Sequence, residues 1–244
     1  MNIFIHFYVY YITCTQKISS KKNLFELLFF PNKLKLGGLQ MQQTIKRTKF
    51  LTPTTLVKIS ILSAIGYILM FISVPLPMLF PEFLKIDISD LPALLGGIAL
   101  GPMAGITIAF FKNLLQFITG MSTTGGVGEF ANFLIGGSFV FTVSYIYSKK
   151  RDVAGVVIGL ISGIIVMTIV GCIANYFIIL PFYSTIGWSI DAVVAMGSAI
   201  NPAINNKLSF IIWIIAPFNI LKSGIMSVLT LPMYKKTEKI FNRR

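Results

Sequence analysis

Apolar residues in this chain come in long runs rather than at alternating or amphipathic spacing, the pattern of segments solvated by lipid on their outer face. Six runs stand out. Residues 56–74 form the first, stopped by Pro75 and Pro77. Residues 91–100 and 103–118 form two segments that meet at Gly101-Pro102, and the shorter one needs Ile88 and Ser89 to approach membrane length. Residues 130–147, 153–183 and 210–233 complete the set. The fifth run is longer than the ~20 residues a bilayer requires, so it is expected to tilt or protrude. The pattern predicts an all-α, polytopic membrane protein of six transmembrane helices, with residues 41–244 as one membrane domain.

Composition agrees. Charged residues make up 12% of the chain, about half the usual share in soluble domains. The mean hydropathy is +0.80. The net charge of +13 raises the question of nucleic acid, but the positions of the charges answer it. Lys46, Arg47, Lys49 and Lys58 precede or open the first run. Lys149, Lys150 and Arg151 separate the fourth from the fifth, and Lys235, Lys236, Lys239, Arg243 and Arg244 follow the sixth. With six spans these clusters share one side, so both termini are expected in the cytoplasm and the chain in the plasma membrane. The positive balance is a topology signal, and no nucleic-acid partner is expected. One His and two distant cysteines, Cys14 and Cys172, exclude a disulfide framework and an ordinary Cys/His metal site.

Residues 1–40 read differently from the rest. The run from Ile3 to Cys14 is too short to span and lacks the preceding charge of a signal peptide. Leu36-Gly37-Gly38 can be encoded with an AGGAGG ribosome-binding sequence, at a normal bacterial spacing before Met41. Residues 1–40 are therefore expected to be a leader or a disordered extension, with Met41 as the start.

An ionisable group within a span is costly and so a functional candidate. Lys222 lies near the middle of the sixth run, with Asn219 on the same helix face. Asn175 lies in the fifth, Lys112 and Asn113 in the third, and Glu129 and Asn132 open the fourth on one face. These groups must satisfy one another or converge on a polar solute, because unpaired buried polar groups are expensive. A solute is the expectation for Asn219 and Lys222. For Lys112, a structural pair with a carboxylate such as Glu129 stands beside ligand contact. The loop 80–92 contributes Leu84 to the candidate set, and Asp90 before Leu91-Pro92 has the look of a helix cap. The loop 184–208 is long and mildly apolar, and could cover a cavity. The repeats Gly97, Gly101, Gly105 and Gly155, Gly159, Gly163 allow close helix approach, read here as packing within the chain. No paired carboxylates and no Ser/His or Cys/His pair suit covalent or acid–base chemistry, so no enzyme and no cofactor are expected.

Several ordered segments carry a resemblance: Lys85-Ile-Asp-Ile-Ser-Asp-Leu-Pro-Ala-Leu-Leu-Gly-Gly, Gly101-Pro-Met-Ala-Gly, Lys112-Asn-Leu-Leu, Thr124-Gly-Gly-Val-Gly-Glu-Phe-Ala-Asn-Phe, Asn175-Tyr-Phe and Pro217-Phe-Asn-Ile-Leu-Lys222. Over about residues 45–235 the chain resembles the riboflavin-specific substrate-binding (S) components of energy-coupling factor (ECF) transporters. The resemblance implies a six-helix subunit that takes riboflavin from outside and works with a transmembrane coupling subunit and two ATPases. It also implies that Asn175, Asn219 and Lys222 contact the vitamin. Its small-residue pattern on helix one, for meeting the coupling subunit, maps onto Ser60 and Ala64, with Ser60 departing from the usual Ala. Two alternatives remain: the same fold serving another vitamin, and a self-sufficient secondary transporter. The latter needs internal repeats and acidic midplane residues, which are not visible in the sequence.

Overall fold

The computed structural model describes residues 52–242 except 121, 123, 186 and 188. The leader 1–40, the start at Met41, and the basic residues Lys46, Arg47, Lys49, Arg243 and Arg244 lie outside the described residues. Among the described residues, four helices are long and apolar enough to cross a membrane: α1 (Pro53–Met70), α4 (Val127–Lys149), α5 (Val153–Thr185) and α7 (Lys207–Ile240). Two shorter apolar helices, α2 (Asp90–Leu100) and α3 (Pro102–Ile118), lie between α1 and α4. A short helix α6 (Ile190–Ser198) precedes α7.

Local chemistry sets the boundaries. Thr52 caps α1 through its side chain, and Pro53 occupies the first turn, where its missing N–H costs nothing. Asp152 accepts from the Gly155 N–H at 2.6 Å to start α5. Gly101 breaks α2 from α3 with φ +109, a conformation closed to residues with a Cβ, and Pro102 then opens α3. The two helices fold back closely enough that a Cβ on Gly105 would lie 2.9 Å from the Gly97 Cα. Gly159 and Gly163 likewise meet Val143 and Phe139 of α4. Gly97, Gly105, Gly159 and Gly163 thus pack within the chain, whereas a Cβ on Gly101 would meet nothing within 4 Å.

At 11 residues, α2 is about 16 Å long, roughly half the ~30 Å hydrocarbon core. Its ten residues from Asp90 to Ala99 are all buried, and it touches α1, α3, α4 and α7. It is a short helix enclosed by the others, which explains why its apolar run is not periodic. The outer helices show the complementary face: on α1, Ile59, Leu62 and Gly66 are buried while Val57, Ile61, Ile65 and Ile68 are exposed.

Two expectations need correction. The fold is mostly helical, but the end of the first apolar run leaves the helix after Met70. It forms β1 (Ser73–Pro75), paired antiparallel with β2 (Lys85–Asp87) in the register Ser73↔Asp87 and Pro75↔Lys85. Pro77 and the polar residues around Lys85 cannot continue a span, so the chain turns back as a hairpin. The loop it carries is pinned by ring contacts, Phe80 to Phe218 at 5.3 Å and Phe83 to Tyr183 at 6.0 Å. Secondly, the loop 184–208 buries Val193 and Ile204 and packs Gly197 against Phe210 at the start of α7. No described residue of that loop lines the central cavity; the hairpin does.

Candidate functional site

A cavity of about 330 Å³ lies between α4, α5, α7 and the hairpin. Its walls include the candidates Leu84, Glu129, Asn132, Asn175, Asn219 and Lys222, whereas Lys112 and Asn113 do not line it. Met167, Ile179, Tyr183, Ile215 and Phe218 supply apolar and aromatic surface. A larger groove of about 520 Å³ opens on the outer faces of α3, α4 and α5, lined mainly by Phe110, Phe117, Phe130, Phe133 and Phe182. Few polar groups converge there, so it offers a solute little beyond what lipid offers.

Two π-helical turns frame the central cavity, Asn175–Ile179 in α5 and Ile211–Ile215 in α7. Each is a one-residue expansion of the α-helix, a device that re-aims side chains near functional sites. Asn175 donates to the Gly171 carbonyl at 2.8 Å, and Asn219 donates to the Ile215 carbonyl at 2.9 Å. With one N–H so engaged, each amide keeps its Oδ1 as an acceptor and its second N–H as a donor. Gly171 brings the two helices together here: a Cβ at that position would lie 2.5 Å from the Asn219 Nδ2.

Lys222 projects into a buried charge cluster. Its Nζ donates to Asn132 Oδ1 at 2.9 Å and to Asp87 Oδ2 at 3.1 Å, and lies 3.6 Å from Asp90 Oδ2. The third N–H thus has an ionic contact rather than a good hydrogen bond. Behind this, Lys112 Nζ lies 2.6 Å from Asp90 Oδ1 and donates to Ser89 Oγ at 2.6 Å. Asn132 in turn donates to Asn113 Oδ1 at 3.1 Å.

The sequence reading is corrected at two points. Lys112 pairs with Asp90, not with Glu129, whose Oε2 accepts from Ser122 Oγ at 2.8 Å. Asp90 is the first helical residue of α2 and makes no capping bond; its carboxylate is spent on the two lysines. Asp87, Asp90 and Ser89 are the residues that sequence reasoning missed as site elements. Their spacing in Asp87-Ile-Ser-Asp90 was visible, but reads as an ordinary polar loop until the hairpin folds it inward. Ser60 and Ala64 lie together on the exposed face of α1, away from the cavity. Among the described residues no group of three His, Cys, Asp or Glu side chains could share a metal ion.

The family model described as "ECF transporter, substrate-specific component" matches residues 54–234. The riboflavin transporter RibU of Staphylococcus aureus (strain TCH60) is 41% identical over 188 residues, covering 77% of this chain and 92% of that protein. The riboflavin transporter FmnP of Bacillus subtilis (strain 168) is 36% identical over 174 residues, covering 71% of this chain and 86% of that protein. A solved structure described as the S component of a bacterial ECF transporter is 38% identical, with a TM-score of 0.59 over 77% of this chain and 97% of that one. The family is one of transporter components rather than of enzymes. This chain belongs to the substrate-specific components of ECF transporters.

Proposed function

We propose that this chain is a riboflavin-specific S component: it binds riboflavin from outside the cell and translocates it together with a transmembrane coupling subunit and two ATPases. In this reading the six helices α1 to α5 and α7 all lie within the plasma membrane, with both termini cytoplasmic. The short α2 and the hairpin before it together occupy one span's depth.

The observation that carries the reading is the convergence of Asn175, Asn219 and Lys222 on one cavity among chains whose relatives are named riboflavin transporters. Riboflavin is a flat ring system with polar edges and a polyol tail. A cavity of about 330 Å³ falls at the lower end of small-ligand sites. Tyr183, Phe218 and Met167 supply faces for the ring. The two amide Oδ1 atoms accept from ring or hydroxyl donors, and the third N–H of Lys222 donates to a ring carbonyl. Ser60 and Ala64 on the outer face of α1 are the coupling-subunit contact in this reading. The chain carries no nucleotide-binding motif, so alone it binds without accumulating.

The test is purification of the chain followed by absorbance of the co-purified ligand and a flavin-fluorescence titration. Saturable one-to-one riboflavin binding that other vitamins fail to displace is expected. A colourless protein that binds no added riboflavin, or that prefers another vitamin, would overturn the proposal.

A further inference from the structure

Gly171 lies on α5 one turn before Asn175, is buried, and forms no part of the cavity wall. Two observations nevertheless tie it to the site. Its carbonyl accepts a side-chain N–H of Asn175 at 2.8 Å. A Cβ built on it would lie 2.5 Å from the Asn219 Nδ2 of α7, 3.0 Å from the Cγ and 3.4 Å from the Oδ1, and these are its three nearest atoms. The packing glycines differ. A Cβ on Gly159 would meet Val143 of α4, one on Gly163 would meet Phe139 and Val143, and one on Gly105 would meet Val140 and the Gly97 Cα. Those glycines make room for a neighbouring helix, whereas Gly171 makes room for one side chain of the site.

The Asn219 amide has little choice of place. Its Nδ2 donates to the carbonyl of Ile215, the last residue of the π turn in α7, and the residue is 3% exposed. With a methyl on residue 171, ordinary contact at about 3.5 Å would require the amide to retreat by about 1 Å. The amide is the end of a side chain, so it yields before the two packed helices do. A binding group must be held within about 0.5 Å of its productive position. The methyl is therefore accommodated by the fold at the expense of the site.

We propose that Gly171 is a positioning residue for riboflavin: its missing side chain seats the Asn219 amide and its carbonyl orients the Asn175 amide, so one position behind the cavity wall sets both. The inference rests on riboflavin binding as proposed above. The two contributions separate chemically. Alanine abolishes the first, because its Cβ takes the space of the Asn219 amide. It retains the second, because the carbonyl is unchanged. The cost of Gly171→Ala is thus carried by Asn219, and it vanishes in Asn219→Ala, where the shortened side chain leaves the space the methyl needs.

The experiment is a riboflavin fluorescence titration on the full chain, with Gly171→Ala introduced into wild type, Asn219→Ala and Asn175→Ala and each variant compared with its parent. In wild type the change is expected to raise the dissociation constant roughly tenfold, the loss that follows when one hydrogen-bonded amide is misplaced. In Asn219→Ala the same change is expected to cost about twofold or less, and in Asn175→Ala to keep its full effect. A glycine that served packing alone would cost the same in every background. Gly163→Ala supplies that comparison: its methyl strikes the Phe139 and Val143 side chains at 2.8 Å, and it is expected to lower Tm while leaving affinity near wild type. Four results overturn the inference: wild-type affinity in Gly171→Ala, an equal loss in the Asn219→Ala background, a loss that vanishes in the Asn175→Ala background, or an equal loss in Gly163→Ala. If Gly171→Ala yields no folded protein, its combination with Asn219→Ala decides. Folded protein with the affinity of Asn219→Ala supports the inference, and lower affinity or failure to fold overturns it. A wild-type chain that binds no riboflavin defeats the functional proposal instead.

Discussion

Replacing Lys222 with Met keeps the length of the side chain and removes its charge. On sequence grounds the change looks harmless to the empty protein, because an ammonium within a span costs roughly 2.5–3.5 kcal/mol on insertion scales. The structure reverses that expectation. The ammonium satisfies Asp87 Oδ2 at 3.1 Å and Asn132 Oδ1 at 2.9 Å, and the Asp87 side chain is only 11% exposed. Without it Asp87 keeps Ser89 as its hydrogen-bond donor, while Asp90 retains Lys112 at 2.6 Å. Breaking a buried pair from one side costs about 3–5 kcal/mol. Partial exposure of Asp87 and the surviving Lys112–Asp90 bond put this case at the lower end, about 3 kcal/mol. For a chain of this size that corresponds to a fall in Tm of about 6–12 °C. The assay is thermal melting of ligand-free protein in detergent, followed by the fraction remaining monodisperse. A second variant, Lys222→Met with Asp87→Asn, removes the stranded carboxylate and should recover part of the loss. A ligand-free Lys222→Met protein that melts at or above the wild-type temperature would refute the charge-cluster argument.

Other consequences are separately measurable. Asn175→Ala and Asn219→Ala each remove a cavity acceptor and should weaken riboflavin binding by about 1–3 kcal/mol, roughly tenfold or more, in a fluorescence titration; unchanged affinity in both would put the ligand elsewhere. Gly136→Ala drives a methyl against the Asp90 carboxylate and should cost about 1–3 kcal/mol of stability, whereas Gly137→Ala, whose nearest neighbour is a Phe133 ring carbon at 3.8 Å, should be near neutral. Ala64→Trp projects from the exposed face of α1 and should block ATP-dependent uptake while leaving flavin affinity intact, since it holds a partner helix away.

The long apolar runs were legible because a helix solvated by lipid needs no pattern, only length and the absence of charge. Residues 153–183 accordingly matched a continuous helix, Val153–Thr185, almost to the residue. The glycine repeats were legible for a related reason: small side chains at four-residue spacing make a close-approach face wherever they occur. The polar candidates were legible one at a time, since each carries its own desolvation cost and must be satisfied by something. What no linear reading contains is the partner. Lys112 and Glu129 are closer in sequence than Lys112 and Lys222, yet Asp90 joins the two lysines across three helices. The first apolar run shows the same limit. Its apolar content predicts a span to residue 74, but the pairing of Ser73 with Asp87 makes its last residues a strand that carries Asp87 down to Lys222. Composition and spacing determine which segments enter the membrane, because transfer free energy adds up along one segment at a time. Which buried charges neutralise one another depends on distances of a few ångströms between segments, and only the packed helices decide those.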